Sequence, residues 1–447
     1  MLFLILLLVG FGCAIALYNW RWGIALAIGV ALIQDPLRKL VPGAPGYLAM
    51  ASVPVWCCAL LAGNLMGPVK VRPFLNAFPK LAQWLAWFGV YLLIPTVLSA
   101  TYGAGTWKIT GLGMVIYGLA FFALLAGWYY GDRPGAITRL LMFYAVATSI
   151  MLIGGLLELR GSHWAVVGTS ALDHLWVTHR TGEAVYMMAG FFRGPDIMGW
   201  HGSLVVMVAT IMAARTKGTI RLVWIAIAVW GLFNVWICGR RKMLAMLLVF
   251  LGTYTFVVFA TRNIKRALVI LGVTLVVAGL GWYGIATINP DRALMSFHLT
   301  TLDEWSQQVR MHGFDSVGET LRQAGFLGYG LGMSQQGIHH IAAEKPRLWQ
   351  ESGPTKLMAE LGVPGMLLFL VLVWVFFRTA VEILRVTREW NAFSLSAGLV
   401  AVLVANAATA VVSAQVYGDP FVALFLAVLA GMLLSEVRRI SEAGGVG

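Results

Sequence analysis

Five arginines have the type and placement to hold a phosphate: Arg193, Arg240, Arg241, Arg310 and Arg322. A guanidinium presents a planar fork of donors that matches phosphate oxygens in paired, charge-assisted hydrogen bonds. Two of them belong to Gly239-Arg240-Arg241-Lys242, which joins two apolar runs and so sets three consecutive cations at the edge of hydrocarbon. A charge there is expensive, about 2–3 kcal/mol at mid-membrane and less near the surface, so something anionic is expected beside it. Arg193 opens Arg193-Gly194-Pro195-Asp196, ahead of an apolar run that holds His201. The other histidines are His163, His174, His179, His298, His312, His339 and His340, all in two long polar connections. Glu351 precedes Ser352 and Pro354, an N-cap and first-turn combination that would put this carboxylate at the positive end of a helix. A helix-cap carboxylate and a proton acceptor are both open readings of it. No His-Glu-x-x-His is present, and Cys13, Cys57, Cys58 and Cys238 lack metal-ligand spacing, so neither a metal site nor a disulfide framework is expected. The glycines of Gly325-Phe326-Leu327-Gly328-Tyr329-Gly330-Leu331-Gly332 do not follow the dinucleotide fingerprint, but they permit close backbone approach.

The elements that must position these groups are membrane helices. Of 447 residues, 60% are apolar and 11% charged, with a mean hydropathy of +0.81. A soluble chain carries roughly a quarter of its residues charged. Apolar runs span 2–18, 22–34, 47–65, 82–100, 110–130, 138–157, 197–213, 221–238, 243–260, 267–287, 355–377, 394–413 and 421–435. The fold class is therefore an all-α polytopic membrane protein with 12–13 transmembrane helices, the short second run being the uncertain crossing. Runs of this length exclude a β-barrel, whose strands are half as long and alternate in polarity. The first run lacks a basic lead and a cleavage motif and reads as a retained span. Two connections are long, 158–196 and 288–354, and divide the chain into helices 1–157, a first loop, helices 197–287, a large partly helical loop, and helices 355–447. The net charge of +13 fits the positive-inside bias and does not imply nucleic acid. With the Arg438-Arg439 tail in the cytoplasm, the loops holding Arg378–Arg388, Arg262–Arg266, Arg215–Arg221, Arg133–Arg139 and Lys70–Lys80 all fall inside. Both long loops then fall outside, the larger with five Lys/Arg against seven Asp/Glu over 288–353. The 239–242 cations break this rule, and Arg38-Lys39 does so more mildly.

This order of features resembles the O-antigen ligase and O-antigen polymerase superfamily of bacterial inner membranes, with motif support over about residues 185–377. Arg193-Gly194-Pro195-Asp196 is similar to the family's arginine and Pro-Asn opening of a helix, with Asp196 where Asn is usual. Cys238-Gly239-Arg240-Arg241 resembles its small-small-Arg motif. Arg310, the 328–332 glycines and Glu360-Leu361-Gly362-Val363-Pro364-Gly365 resemble its large-loop signature and Glu-x-Gly helix. Gln350-Glu351 stands where ligases typically have histidine, which favours a polymerase over a ligase. The resemblance implies a GT-C-like, metal-independent, inverting glycosyltransferase with no cofactor. Such an enzyme works at the periplasmic face, moving a glycan from undecaprenyl diphosphate to a saccharide or lipid A-core acceptor. Arg193, Arg240, Arg241, Arg310 and Arg322 would bind the diphosphate, and Glu351, or His339 and His340, would take the acceptor's proton. Two other classes use the same residues differently. A transporter of lipid-linked oligosaccharide would need charges along a path through the spans, whose interiors hold almost none. A structural partner in envelope assembly would use the loops as docking surfaces.

Overall fold

A computed structural model describes residues 1–103, 105–168, 175–177, 184–260, 264–288, 316–335, 350, 352–414 and 416–442. Apart from one short hairpin, β1 (Leu175–Val177) against β2 (Ala184–Tyr186), the regular elements described are helices. Among the described residues, eleven helical segments are long and apolar enough to cross a membrane, and they coincide with the third to thirteenth expected runs. The first two runs are helices as well. The first, α1 (Leu2–Tyr18), has 17 residues; α2 (Trp20–Lys39) is longer but ends in Asp35, Arg38 and Lys39, so neither is among the eleven. The chain is thus an all-α, multi-pass protein suited to a lipid bilayer.

After α3 (Ser52–Leu61) and α4 (Val71–Ala77), three spans are each built from two pieces. The first, α5 (Pro79–Tyr91) and α6 (Leu93–Ala100), breaks one turn before Pro95, which has no N–H to give the carbonyl of Tyr91. The second, α7 (Thr106–Tyr117) and α8 (Leu119–Tyr130), breaks at Gly118. The third, α9 (Ala136–Met151) and α10 (Ile153–Leu159), breaks at Leu152, just before Gly154 and Gly155. Those two glycines admit the returning loop: a Cβ on Gly154 would stand 2.5 Å from the backbone nitrogen of Phe191.

The next helix, α11 (Pro195–Arg215), is buried along its length at the centre of the bundle. It packs on α12 (Gly218–Ile237) where Gly202 and Gly231 face each other, a Cβ on Gly231 falling 3.0 Å from the Gly202 carbonyl oxygen. Small residues are what let membrane helices approach this closely. Around this pair stand α13 (Arg241–Ala260), α14 (Ile264–Ile288), the short α15 (Ser316–Ala324), α16 (Gly353–Val386), α17 (Trp390–Val412) and α18 (Pro420–Glu442). Helices α8 and α18 meet backbone to backbone through Gly127 and Gly431.

The helix α16 is bent. Gly362 has φ +67°, and Pro364 follows it, so the helical hydrogen bonds lapse there. The freed groups are satisfied by the glycine-rich segment: Val363 N–H donates to the Phe326 carbonyl at 2.9 Å, and Tyr329 N–H to the Ala359 carbonyl at 2.7 Å. From there residues 330–332 run into the bundle end, where Leu331 N–H donates to the Pro95 carbonyl at 2.9 Å. A Cβ on Gly330 would lie 2.5 Å from Ser99 N, which explains the glycine.

The loops sort to two ends as the charge count requires. At one end Arg21 donates to the Tyr129 carbonyl (2.8 Å), Arg438 pairs with Asp132 (2.7 Å), Arg215 donates to Thr138 (3.1 Å), and Arg266 lies over Trp390. At the other end Lys39 donates to the Gly190 carbonyl (2.9 Å), Met188 N–H to the Ile237 carbonyl (3.2 Å), and Arg193 meets Asp419.

Candidate functional site

That second end holds several charged groups, set on neighbouring stretches of backbone. Arg193 stands just before α11, whose first turn begins with Pro195 and Asp196. Its guanidinium pairs with Asp419, at the start of α18, and approaches Asp35, near the end of α2, at 3.6 Å. The backbone N–H of Arg193 also donates to Asp35, at 3.0 Å. Both carboxylate side chains are 3% exposed, whereas Arg193 keeps 24% of its side chain open. Burial alone would lower the Arg193 pKa, but Asp419 and then Asp35 favour the charged form more strongly, and the net shift is upward.

Three residues on, Asp196 receives the cations of the 239–242 connection. Arg240 reaches one of its oxygens at 3.0 Å and Lys242 the other at 2.6 Å. The chain can turn there because Gly239 has φ +70°. The anion expected beside these cations is therefore, at least in part, the protein's own carboxylate. Arg240 keeps 23% of its side chain exposed. Arg241 is the first residue of α13, adjoining this pair.

On the other side of Asp419 lies a buried polar group on α16. Glu360 is fully buried and accepts from the Tyr117 hydroxyl at 2.8 Å, the Ser334 hydroxyl at 2.8 Å and the Ser334 N–H at 3.3 Å. Lys356, one turn earlier and 6% exposed, lies beside it. The two groups join through Gly418: a Cβ there would be 3.1 Å from Lys356 Nζ and 2.6 Å from Gln335 Oε1. Gln335 is 3% exposed, and its Nε2 has no hydrogen-bond partner among the described residues. The start of α16 is built as expected, with Ser352 accepting from Thr355 N–H at 3.3 Å and Pro354 in the first turn.

Of the residues singled out by sequence, Arg193 and Arg240 both flank the first turn of α11, each in its own ion pair, and Arg241 follows Arg240 as the first residue of α13. Arg322 does not join them in any described contact: it lies on α15, 84% exposed, with Glu319 at 3.6 Å. Arg310, His339, His340 and Glu351 lie outside the described residues, as do His174, His179, His298 and His312. His201 is placed beneath the site, stacked between Phe192 and Phe421 and sharing a 2.8 Å hydrogen bond with the Tyr144 hydroxyl, where it fills the core. Sequence reasoning missed Asp35 and Asp419 altogether and noted Lys356 and Glu360 only as parts of longer segments, with no role of their own. The available signal was an acidic residue near the end of an apolar run, which is retained only when partnered. The expectation of almost no charge inside the spans needs amending, since Lys356 and Glu360 are buried within α16. Both occupy its first turns, at the charged end. Among the described residues no three His, Cys, Asp or Glu side chains come together to hold a metal ion.

Chemically, this end offers guanidinium groups whose orientation is fixed by carboxylates, each with part of its surface open, beside a glycine-lined stretch of backbone. Fixed donors of this kind stabilise developing negative charge without reorganising. No protein-family model matches the chain, and neither does any curated protein.

Proposed function

We propose that this end of the bundle is the active site of a polysaccharide polymerase that transfers a glycan from undecaprenyl diphosphate to a sugar hydroxyl. The observation that carries the reading is the placement of Arg193 and Arg240 in carboxylate-held, partly open positions around the first turn of α11, with Arg241 next to Arg240 in the chain, at the end of the bundle opposite the basic loops. By the positive-inside bias the basic end faces the cytoplasm, which gives the cluster to the periplasmic face of an inner membrane. In the proposed reaction the acceptor oxygen attacks the anomeric carbon and the bond to the diphosphate breaks, inverting that carbon. The guanidinium groups of Arg240, Arg241, Arg193 and Arg310 take up the charge of the departing diphosphate. Glu351, or His339 or His340, accepts the hydroxyl proton, a contribution of about 10²–10⁴ in rate. Residues 326–334 of the large loop dock on the bend of α16, where Ser334 donates to Glu360, which supports a role for that loop at this end of the bundle.

The test is purified protein in liposomes with a lipid-linked repeat unit, with and without lipid A-core. Polymer growth on the lipid carrier supports the reading. Transfer of intact polymer to lipid A-core would instead identify a ligase, and movement of the lipid across the bilayer without new bonds a transporter. Arg241→Ala and Arg310→Ala should abolish polymer formation at unchanged protein abundance. Activity near wild type in both would overturn the assignment, as would labelling that puts residues 239–242 in the cytosol.

A further inference from the structure

The opposite, basic end of the bundle carries a second site. A cleft of about 260 Å³ opens between the start of α14, the end of α16 and the start of α17. Three arginines line it, Arg266, Arg385 and Arg388, together with the buried Leu384 and Phe393. No carboxylate is among its described lining residues. The nearest acids in sequence are turned elsewhere: Glu382 lies 3.5 Å from Arg378, and Glu389 lines a separate cleft with Arg133 and Arg215. Arg266 is held in place by the Trp390 ring, its guanidinium carbon 4.1 Å from the centroid. Tryptophan belongs at the level of lipid headgroups, where an apolar ring can keep one polar edge wet.

Three like charges gathered round one cleft repel one another, and a bound anion relieves that repulsion. The guanidinium fork selects phosphate among common anions. The helices whose ends line the cleft carry exposed apolar side chains within a few turns of it: Leu268, Leu271 and Leu275 on α14, Val381 and Val386 on α16. A free phosphate leaves that surface uncovered, whereas a phospholipid places its headgroup in the cleft and its acyl chains along the two helices. We infer that this cleft binds the phosphodiester of an anionic phospholipid. The inference rests only on the membrane-spanning character of the chain and is independent of any glycan chemistry at the other end.

The experiment is native mass spectrometry of purified wild-type protein exchanged into micelles with phosphatidylglycerol and phosphatidylcholine at equal concentration. The expected result is selective retention of phosphatidylglycerol that weakens as salt is raised. The combined variant Arg266→Gln, Arg385→Gln, Arg388→Gln should bind it roughly a hundredfold more weakly, from about 1 kcal/mol per basic residue near an anionic headgroup. Arg378→Gln, on the same helix outside the cleft, should retain it. Equal retention in the combined variant and the wild type would overturn the site. Displacement of phosphatidylglycerol by millimolar inorganic phosphate would overturn the lipid as its occupant. If the combined variant does not fold, the wild type still decides: no preference for phosphatidylglycerol over phosphatidylcholine at low salt refutes the inference.

Discussion

Replacing Arg193 by Gln should destabilise the fold measurably, apart from any effect on binding. Arg193 is the counter-charge for Asp419 and Asp35, two carboxylates that are almost fully buried. Removing one partner of a buried ion pair costs about 3–5 kcal/mol, because the other is left uncompensated away from water. The quarter of the Arg193 side chain that is exposed, together with the surviving backbone donor to Asp35, argues for the lower end, about 3 kcal/mol. That is roughly a 150-fold change in the ratio of folded to unfolded protein. Asp419→Asn is milder, since Arg193 keeps Asp35 and the Asn side chain can still accept from Phe421 N–H, as Asp419 does at 2.8 Å. The double variant should be more stable than the sum of the two losses implies, with a coupling of about 1–2 kcal/mol. The assay is reversible denaturant unfolding in detergent micelles for the wild type, both single variants and the double. The upward shift of the Arg193 pKa adds a control. A raised pKa gives stability that is present below the unfolded value and lost only as pH climbs through the folded one, so Arg193 contributes equally at about pH 6 and pH 9. If Arg193→Gln changes the unfolding free energy by less than about 0.5 kcal/mol, or the two losses simply add, the ion pair is not what holds α2, α11 and α18 together.

Gly362→Ala should loosen the glycine-rich segment. A Cβ at φ +67° costs about 1–2 kcal/mol by itself and here would run into the Phe326 carbonyl and Leu327, so proteolysis between residues 325 and 335 should accelerate; wild-type resistance would contradict this. Lys39, beyond the 22–34 run, has its pKa lowered to about 8, burial outweighing the opposing effect of Asp35 and Glu158. Between pH 8 and its ordinary value of 10.5 the folded chain binds fewer protons there than the unfolded, so stability should rise with pH across that window. Lys39→Gln should remove the rise, read as the change in denaturation midpoint between about pH 7.5 and 10, and an identical pH response in both proteins would defeat the argument.

The membrane helices were legible because crossing hydrocarbon leaves a record in every residue of a span, and α11 to α14 begin and end within a few residues of the expected runs. The cations at 239–242 were legible for the same reason, being three consecutive charges at the junction of two apolar runs. Their partner was not, because Asp196 lies 44 positions before Arg240 and nothing local announces the pairing. The pairing of Arg193 with Asp35 and Asp419 was invisible on the same grounds: the first lies 158 residues from it and the second 226. The bend in α16 had a local cue in Gly362 and Pro364, yet the use made of it depends on where residues 326–329 fold. Periodicity and composition report the solvent around each segment. They do not report which polar groups meet once the segments are packed.

The burial of α11 on every side has a consequence for how the protein is made. The Nε1–H of Trp200 donates to Asn406 at 2.8 Å, and Arg193, just ahead of the helix, pairs with Asp419, so polar groups on and beside this central helix find partners in segments translated some two hundred residues later. Until then the ribosome-bound chain holds an incomplete shell, with the indole lacking its acceptor and Arg193 holding only the earlier of its two carboxylates, Asp35. The final two helices close that gap, and a nascent chain halted before them would present the mismatch that a membrane protease can recognise.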